Sequence, residues 1–247
     1  MEVTNGAAVK TLVIIPTYNE ADNVGWITDR VLEQQPEVEI LVADDNSPDG
    51  TGEIADKLAE ADPRVHVLHR QGKEGLGAAY RAGFAWGLER DYDVLVEMDA
   101  DGSHRPEDLG KLLDSARAGA PLTLGSRWVP GGSVVNWPKR REALSRGASL
   151  YARLMLDLGV RDATAGFRAF RRETLEAIDL DAVESQGYCF QIDMTRQTRL
   201  AGLEVAEVPI TFVERVHGQS KMSLDIVKEA LTRVTVWGLQ RMNPFRR

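Results

Sequence analysis

The first half of the chain alternates short apolar runs with amphipathic stretches, and that order leaves few folds open. Residues 11–15, 39–43, 65–68, 94–98 and 122–124 are rich in Val, Ile and Leu and read as strands. Residues 22–34, 52–61, 76–90 and 107–118 lie between them and read as helices. A β-α-β-α order implies a mostly parallel sheet, because parallel neighbours need a crossover, and it puts helices on both faces. Strands nearly continuous in apolar residues match burial on both sides. The fold class is therefore α/β.

The rhythm changes after Arg127. Residues 128–138, with Pro130-Gly131-Gly132 and Asn136-Trp137-Pro138, read as a loop. A basic helix at about 140–157 follows, then a β-rich piece at 203–213, a polar loop at 214–223 and an amphipathic helix at about 224–239. There is no internal repeat and no low-complexity linker. The expected organisation is a flexible N-terminus over 1–10, one catalytic domain over 11–222, and a C-terminal amphipathic helix with a basic tail over 223–247.

Composition narrows the function classes. A net charge of −8 over 247 residues lacks the general positive excess that nucleic acid requires, so no nucleic-acid partner is expected. A single cysteine, Cys189, excludes an intramolecular disulfide and a Cys-based zinc cluster, and reads as a small buried apolar residue. Residues 1–10 lack the apolar core of a signal peptide, and no apolar run approaches the roughly 20 residues that span a bilayer. A cytoplasmic protein is expected.

In open α/β sheets ligands bind beyond the carboxyl ends of the strands, so the residues after each apolar run are the candidates for chemistry. The fourth run leads into Met98-Asp99-Ala100-Asp101-Gly102-Ser103-His104. Side chains alternate along an extended chain, so Asp99 and Asp101 leave on one side. Two carboxylates aimed at one point repel unless a cation lies between them, and hard oxygen ligands suit Mg2+ or Mn2+ shared with substrate phosphates. A lone Asp-x-Asp more often marks only an Asp-rich turn, so its company decides. The first run ends in Pro16-Thr17-Tyr18-Asn19-Glu20, with a ring to stack on a base or ribose and a carboxylate to accept from a ribose hydroxyl; a turn with a helix-opening acid fits equally. After the second run, Asp45 reads as a base or ribose acceptor, with Asp49 and Thr51 as turn and helix cap. The fifth run delivers Arg127, whose planar fork grips phosphate bidentately, although a salt bridge to a nearby acid is the competing use. No G-x-x-x-x-G-K-[ST] loop is present, and Gly75-Leu76-Gly77 reads as close helix–sheet packing rather than a dinucleotide site. Together these groups describe a phosphate-rich nucleotide substrate.

The succession PTYNE, DDNSPDGT, GLGAAYRAGF, MDADGSH, GSRWVPGG, NWP, TAGFRAF and ERVHGQSKM, spread over roughly residues 11–222, resembles the polyprenol monophosphomannose (dolichol-phosphate mannose) synthases, a branch of the family-2 glycosyltransferases. The resemblance implies the glycosyltransferase A-type, Rossmann-like fold, and inverting transfer of mannose from GDP-mannose to a polyprenyl monophosphate with Mg2+ or Mn2+. It implies nucleotide contacts from Pro16, Tyr18, Glu20, Ala43 and Asp45, and metal and diphosphate contacts from Met98, Asp99, Ala100, Asp101 and Ser103. Of these, Asp99, Asp101 and Ser103 would be the metal ligands. Arg127, Arg215 and Lys221 would grip donor phosphates, and Arg127, Arg141 and Ser145 the acceptor phosphate. Asp99, Asp101 and Arg127 would carry catalysis. Some relatives have Gln at the position of Ser103 and Ser at that of Ala165.

The residues themselves support a phosphate acceptor. No convincing general base stands near the aspartates, since His104 reads equally as a turn residue. A phosphate monoester with a second pKa of about 6 is already a dianion at pH 7 and needs positioning rather than deprotonation. Arg141 and Ser145 are four apart and share a helix face, with Lys139, Arg140 and Arg146 around them. Leu224, Val227, Leu231 and Val234 repeat at helical spacing beside Trp237, with Arg233, Arg241, Arg246 and Arg247 flanking. That pattern suits a helix on an anionic membrane surface, or one packed on its own domain. A membrane-protein partner is compatible with it. The competing readings are a sibling enzyme that moves glucose or another sugar, and a non-catalytic nucleotide-binding module.

Overall fold

The computed structural model describes residues 9–180, 183, 187–214 and 224–242, without the side chains of 187, 188 and 224–227. The first half follows the sequence pattern closely: β1 (Thr11–Thr17), α1 (Ala21–Gln34), β2 (Glu39–Asp44), α2 (Thr51–Ala61), β3 (Val65–His69), α3 (Leu76–Leu88), β4 (Val94–Glu97), α4 (Pro106–Arg117) and β5 (Leu122–Ser126). The chain continues through β6 (Ser133–Val135), α5 (Lys139–Leu156), β7 (Arg168–Arg171), α6 (Arg172–Ala177), α7 (Gly187–Leu200), β8 (Val205–Pro209), β9 (Thr211–Val213) and α8 (Leu224–Met242).

Seven described strands form one sheet in the order β3-β2-β1-β4-β7-β5-β8, all parallel except β7, which runs antiparallel between β4 and β5. Alternation along β1 divides the core. Leu12 and Ile14 pack with Tyr80, Phe84, Phe170 and Phe190 on one face, while Val13 and Ile15 pack with Val24, Ile27, Leu109 and Leu112 on the other. Each fully buried aliphatic side chain of this kind stabilises by roughly 1.5–3 kcal/mol.

Several elements differ from the sequence reading. The stretch 128–138 is not wholly loop: β6 pairs in parallel with β9, a long-range partner that local composition does not reveal. The basic helix begins at Lys139, where Pro138 pre-sets the backbone before the first turn. Strand β7, helix α6 and helix α7 lie in a part of the chain where no apolar periodicity marks them. Gly83 and Gly87, buried with Gly77 in α3, bring the helix close to the sheet. A Cβ at Gly83 would lie 2.6 Å from Ile14, and one at Gly87 2.5 Å from Leu95. Gly75 instead opens the helix at φ 97°. A Gly87→Val chain is expected to lose roughly 1–3 kcal/mol of stability by overpacking, read as a lowered urea midpoint.

Helix α8 packs on α5 and α7. Val234 is buried, the Tyr151 and Thr235 hydroxyls are 2.7 Å apart, and Arg196 stacks over Trp237. Leu231, Val236, Leu239 and Met242 of the same helix are exposed. The helix is thus packed on its own domain and also carries exposed apolar side chains. Among the described residues no helix is long and apolar enough to cross a membrane.

Candidate active site

The carboxyl ends of β2, β1 and β4 are adjacent, with Thr17 opposite Asp44 and Ile14 opposite Glu97. The end of β5 lies two strands from β4, about 10 Å by ordinary strand spacing, because β7 intervenes. All four strand-end segments therefore share one edge.

At the β2 end, Asp44 accepts from Thr17 and from the Ser47 N–H and hydroxyl. Asp49 accepts from the Thr51 hydroxyl at 2.6 Å and from the Ala21 N–H at 3.1 Å, tying the turn to α1. Pro16 and Ala43 are paired backbone neighbours. The Tyr18 ring carries Lys73 at 4.3 Å, and Glu20 accepts from the Asn23 amide. Asp45 is ion-paired with Arg70, which also reaches Glu74. Burial pushes the Asp45 carboxyl upward against the pull of that guanidinium. Arg70 and Lys73, at the end of β3, were not among the residues expected at this edge.

The aspartate loop is braced from several sides. The Asp99 N–H donates to His104 Nδ1 at 3.0 Å, the Ser103 N–H donates to Asp101 at 3.0 Å, and the buried Tyr80 hydroxyl donates to Asp99 at 3.3 Å. His104 is stacked on Phe167 with its centroid 5.0 Å away, and burial holds its pKa down. It is a wall of the site as well as a turn residue. Gly102, at φ 73°, lies under Trp26, which a Cβ there would meet at 2.8 Å. Met98 and Ala100 are buried, Asp99 is 35% exposed, and the Asp101 residue is 8% exposed. The Val213 N–H donates to the Ser103 carbonyl, joining β9 to this loop.

Among the described residues no three His, Cys, Asp or Glu side chains form a ready-made metal cage. What the loop offers is an all-oxygen set, Asp99, Asp101 and the buried Ser103 hydroxyl, whose oxygen has no hydrogen-bond partner among the described residues. That set fits a hard divalent cation whose shell substrate oxygens complete.

Below the loop, Glu97 is fully buried 3.9 Å from Arg168. Burial pushes its carboxyl from the ordinary 4.5 up to about 8, against the opposing pull of Arg168. Because the folded pKa is the higher one, the neutral acid stabilises fully below pH about 4.5 and that contribution is lost as pH rises to about 8. Glu97→Gln is expected to fold normally at pH 7 and to flatten the fall in melting temperature between pH 5 and 8.

Arg127 is engaged by Asp162, a residue not singled out from the sequence. Its Nε and Nη2 donate to the Asp162 carboxylate at 2.7 and 2.6 Å, and its backbone N–H donates to the same group at 2.9 Å. Nη2 also reaches the Thr164 hydroxyl. The guanidinium lies among Trp128, Trp137 and Phe212, with ring centroids 5.2–5.5 Å away. Arg141 stacks on Trp137 at 4.1 Å and donates to both oxygens of Glu214 at 2.5 and 2.6 Å. Arg127, Arg141, Ser145, Thr164 and Trp137 line a cavity of about 340 Å³ that continues between α5 and α8 along Leu144, Ala148, Tyr151, Ile192, Leu231 and Val234. Arg215 and Lys221 lie outside the described residues, as do the side chains of Leu224 and Val227.

The fold defines a class, an open α/β sheet of the glycosyltransferase A type with its polar groups gathered along one edge. The chain belongs to glycosyl transferase family 2, whose pattern matches residues 12–179. It is 61% identical to the polyprenol monophosphomannose synthase of Mycolicibacterium smegmatis over 94% of this chain and 88% of that one. To the undecaprenyl-phosphate mannosyltransferase of Micrococcus luteus it is 59% identical, over 94% and 95% of the two chains. In three dimensions it resembles the glucosyl-3-phosphoglycerate synthase of Mycobacterium tuberculosis crystallised with Mn2+, UDP-glucose and phosphoglyceric acid. The TM-score is 0.68 at 22% identity, covering 95% of this chain and 80% of that one.

Proposed function

We propose that this glycosyltransferase moves mannose from GDP-mannose to a polyprenyl monophosphate, with inversion at the anomeric carbon and release of GDP. The observation that carries the reading is the cavity, which has arginines and a serine in one part of its wall and an apolar trough between two helices in the rest. A phosphate on a hydrocarbon tail is the ligand with that distribution of chemistry. The names of the two relatives near 60% identity support it.

Pro16, Tyr18, Glu20, Ala43 and Asp45 are assigned to the nucleotide, and Met98, Asp99, Ala100, Asp101 and Ser103 to the diphosphate and cation. A bound Mg2+ or Mn2+ supplies Lewis-acid neutralisation of charge on the departing diphosphate. Arg215 and Lys221 are assigned to the donor phosphates from the sequence alone. Arg127, Arg141 and Ser145 hold the acceptor phosphate, whose dianion attacks without a general base. The open apolar side chains of Leu150, Leu154, Leu239 and Met242 suit a peripheral position at the cytoplasmic face of a membrane, where the lipid is delivered or a membrane-protein partner docks.

Incubation with radiolabelled GDP-mannose, Mg2+ and polyprenyl phosphate is expected to give a labelled organic-phase product. Product from UDP-glucose and none from GDP-mannose overturns the mannose assignment, and product from neither overturns the enzymatic one.

The Glu214 carboxylate competes with an acceptor phosphate for Arg141, holding its Nη1. Partly buried pairs of this kind near the surface are worth about 0.5–1 kcal/mol, so Glu214→Gln is expected to lower the acceptor KM about two- to fivefold. A raised KM instead identifies Glu214 as a brace for Arg141.

A further inference from the structure

The aromatic residues between the aspartate loop and the acceptor arginines have no part in the assignments above, yet two of them, Trp128 and Trp137, carry a buried indole N–H without a partner among the described residues, and of these two it is Trp137 that faces the cavity. Trp137 lines the cavity, and its indole N–H is buried and has no hydrogen-bond partner among the described residues. A buried donor left unpaired is costly, and native folds rarely leave one without a reason. Its surroundings narrow what that reason is. The ring is fixed edge-on against Phe212 at 5.2 Å and Trp128 at 6.5 Å, so it is not free to turn the donor elsewhere. Its face carries the Arg141 guanidinium at 4.1 Å, and Arg127 lies 5.4 Å from the same ring. An indole N–H donates only and keeps its proton at every accessible pH. A donor of that kind, beside two guanidinium groups and a serine hydroxyl, is matched to an anion with several acceptor oxygens.

We propose that Trp137 is an acceptor-binding residue, its ring holding Arg141 in place and its indole N–H donating to an oxygen of the lipid phosphate monoester. The inference rests on the acceptor assignment above and adds a third kind of donor to it. Trp137 binds the phosphate in ground state and transition state alike, so its loss acts on acceptor affinity more than on turnover.

The test measures binding by calorimetry, with farnesyl monophosphate, farnesol and inorganic phosphate as separate ligands, on the full chain and on Trp137→Phe. Phenylalanine keeps an aromatic ring against Arg141 and removes the N–H. The expected result is farnesyl phosphate bound about tenfold or more weakly by the variant, the range for a hydrogen bond to a charged group, with farnesol unchanged within twofold. Farnesyl phosphate bound within twofold of the parent overturns the inference, as does an equal loss for farnesol. If the parent chain itself holds farnesol as tightly as the phosphate, or inorganic phosphate as tightly as the lipid, the acceptor assignment fails and the Trp137 inference with it. Should the variant not fold, the parent labelled with 15N-tryptophan answers. An indole signal displaced by farnesyl phosphate and not by farnesol supports the donor, and all five indole signals unmoved overturn it.

Discussion

An Asp101→Ala chain is expected to fold as the parent does and to transfer no measurable mannose. The two halves of that outcome rest on different magnitudes. Structurally, Asp101 belongs to a loop and accepts the Ser103 N–H at 3.0 Å. Losing such a bond costs about 1 kcal/mol, and the loop keeps its braces from His104, Tyr80 and β9. Chemically, the carboxylate is one of two that face the departing diphosphate in the proposed reaction. Removing a group that stabilises transition-state charge costs about 10³-fold in rate, close to 4 kcal/mol. Circular dichroism should therefore match the parent and the melting temperature fall by only about 2–4 °C, while Mn2+ binding followed by electron paramagnetic resonance and product formation are both lost. A rate within tenfold of the parent rules out the metal assignment at this loop.

The legible and illegible parts of this site divide by how far apart in the chain their causes lie. Strands β1, β2 and β4 announce themselves because each is a local apolar run that is buried on both faces, and the polar residues that follow them face the edge by geometry alone. Strand β7 has no such signal. Its four residues begin and end with arginine, and Arg168 is buried only because Glu97, Thr195 and two backbone carbonyls receive its side chain. The same limit applies to Arg127. Its position after β5 was readable and its partner was not, since Asp162 lies 35 residues on. Trp137 and Glu214 were visible as letters of the NWP and ERVHGQSKM segments. Their contacts with Arg141 depend on β6 pairing with β9, and no local pattern contains that pairing.

The Arg127–Asp162 pair yields the second large effect, and it separates support from chemistry. Both partners are nearly dry, at 5% and 0% side-chain exposure, so Asp162→Asn leaves a guanidinium buried beside a neutral amide. Breaking a buried pair from one side costs about 3 kcal/mol or more, which for a chain of this size lowers the melting temperature by roughly 6–12 °C. Removing the other charge as well should reverse most of that loss, because a buried ion pair is often no more stabilising than apolar groups of the same shape. Arg127→Met combined with Asp162→Asn keeps an acceptor for the residue-127 N–H and leaves no net charge behind. The double variant is therefore expected to melt within a few degrees of the parent, yet to bind acceptor phosphate weakly and turn over poorly, since the guanidinium is gone. Recovery of stability without activity assigns Arg127 to the acceptor. Recovery of both shows that it only braces β5 against the 162–164 turn, and the acceptor phosphate then depends on Arg141, Ser145 and Trp137.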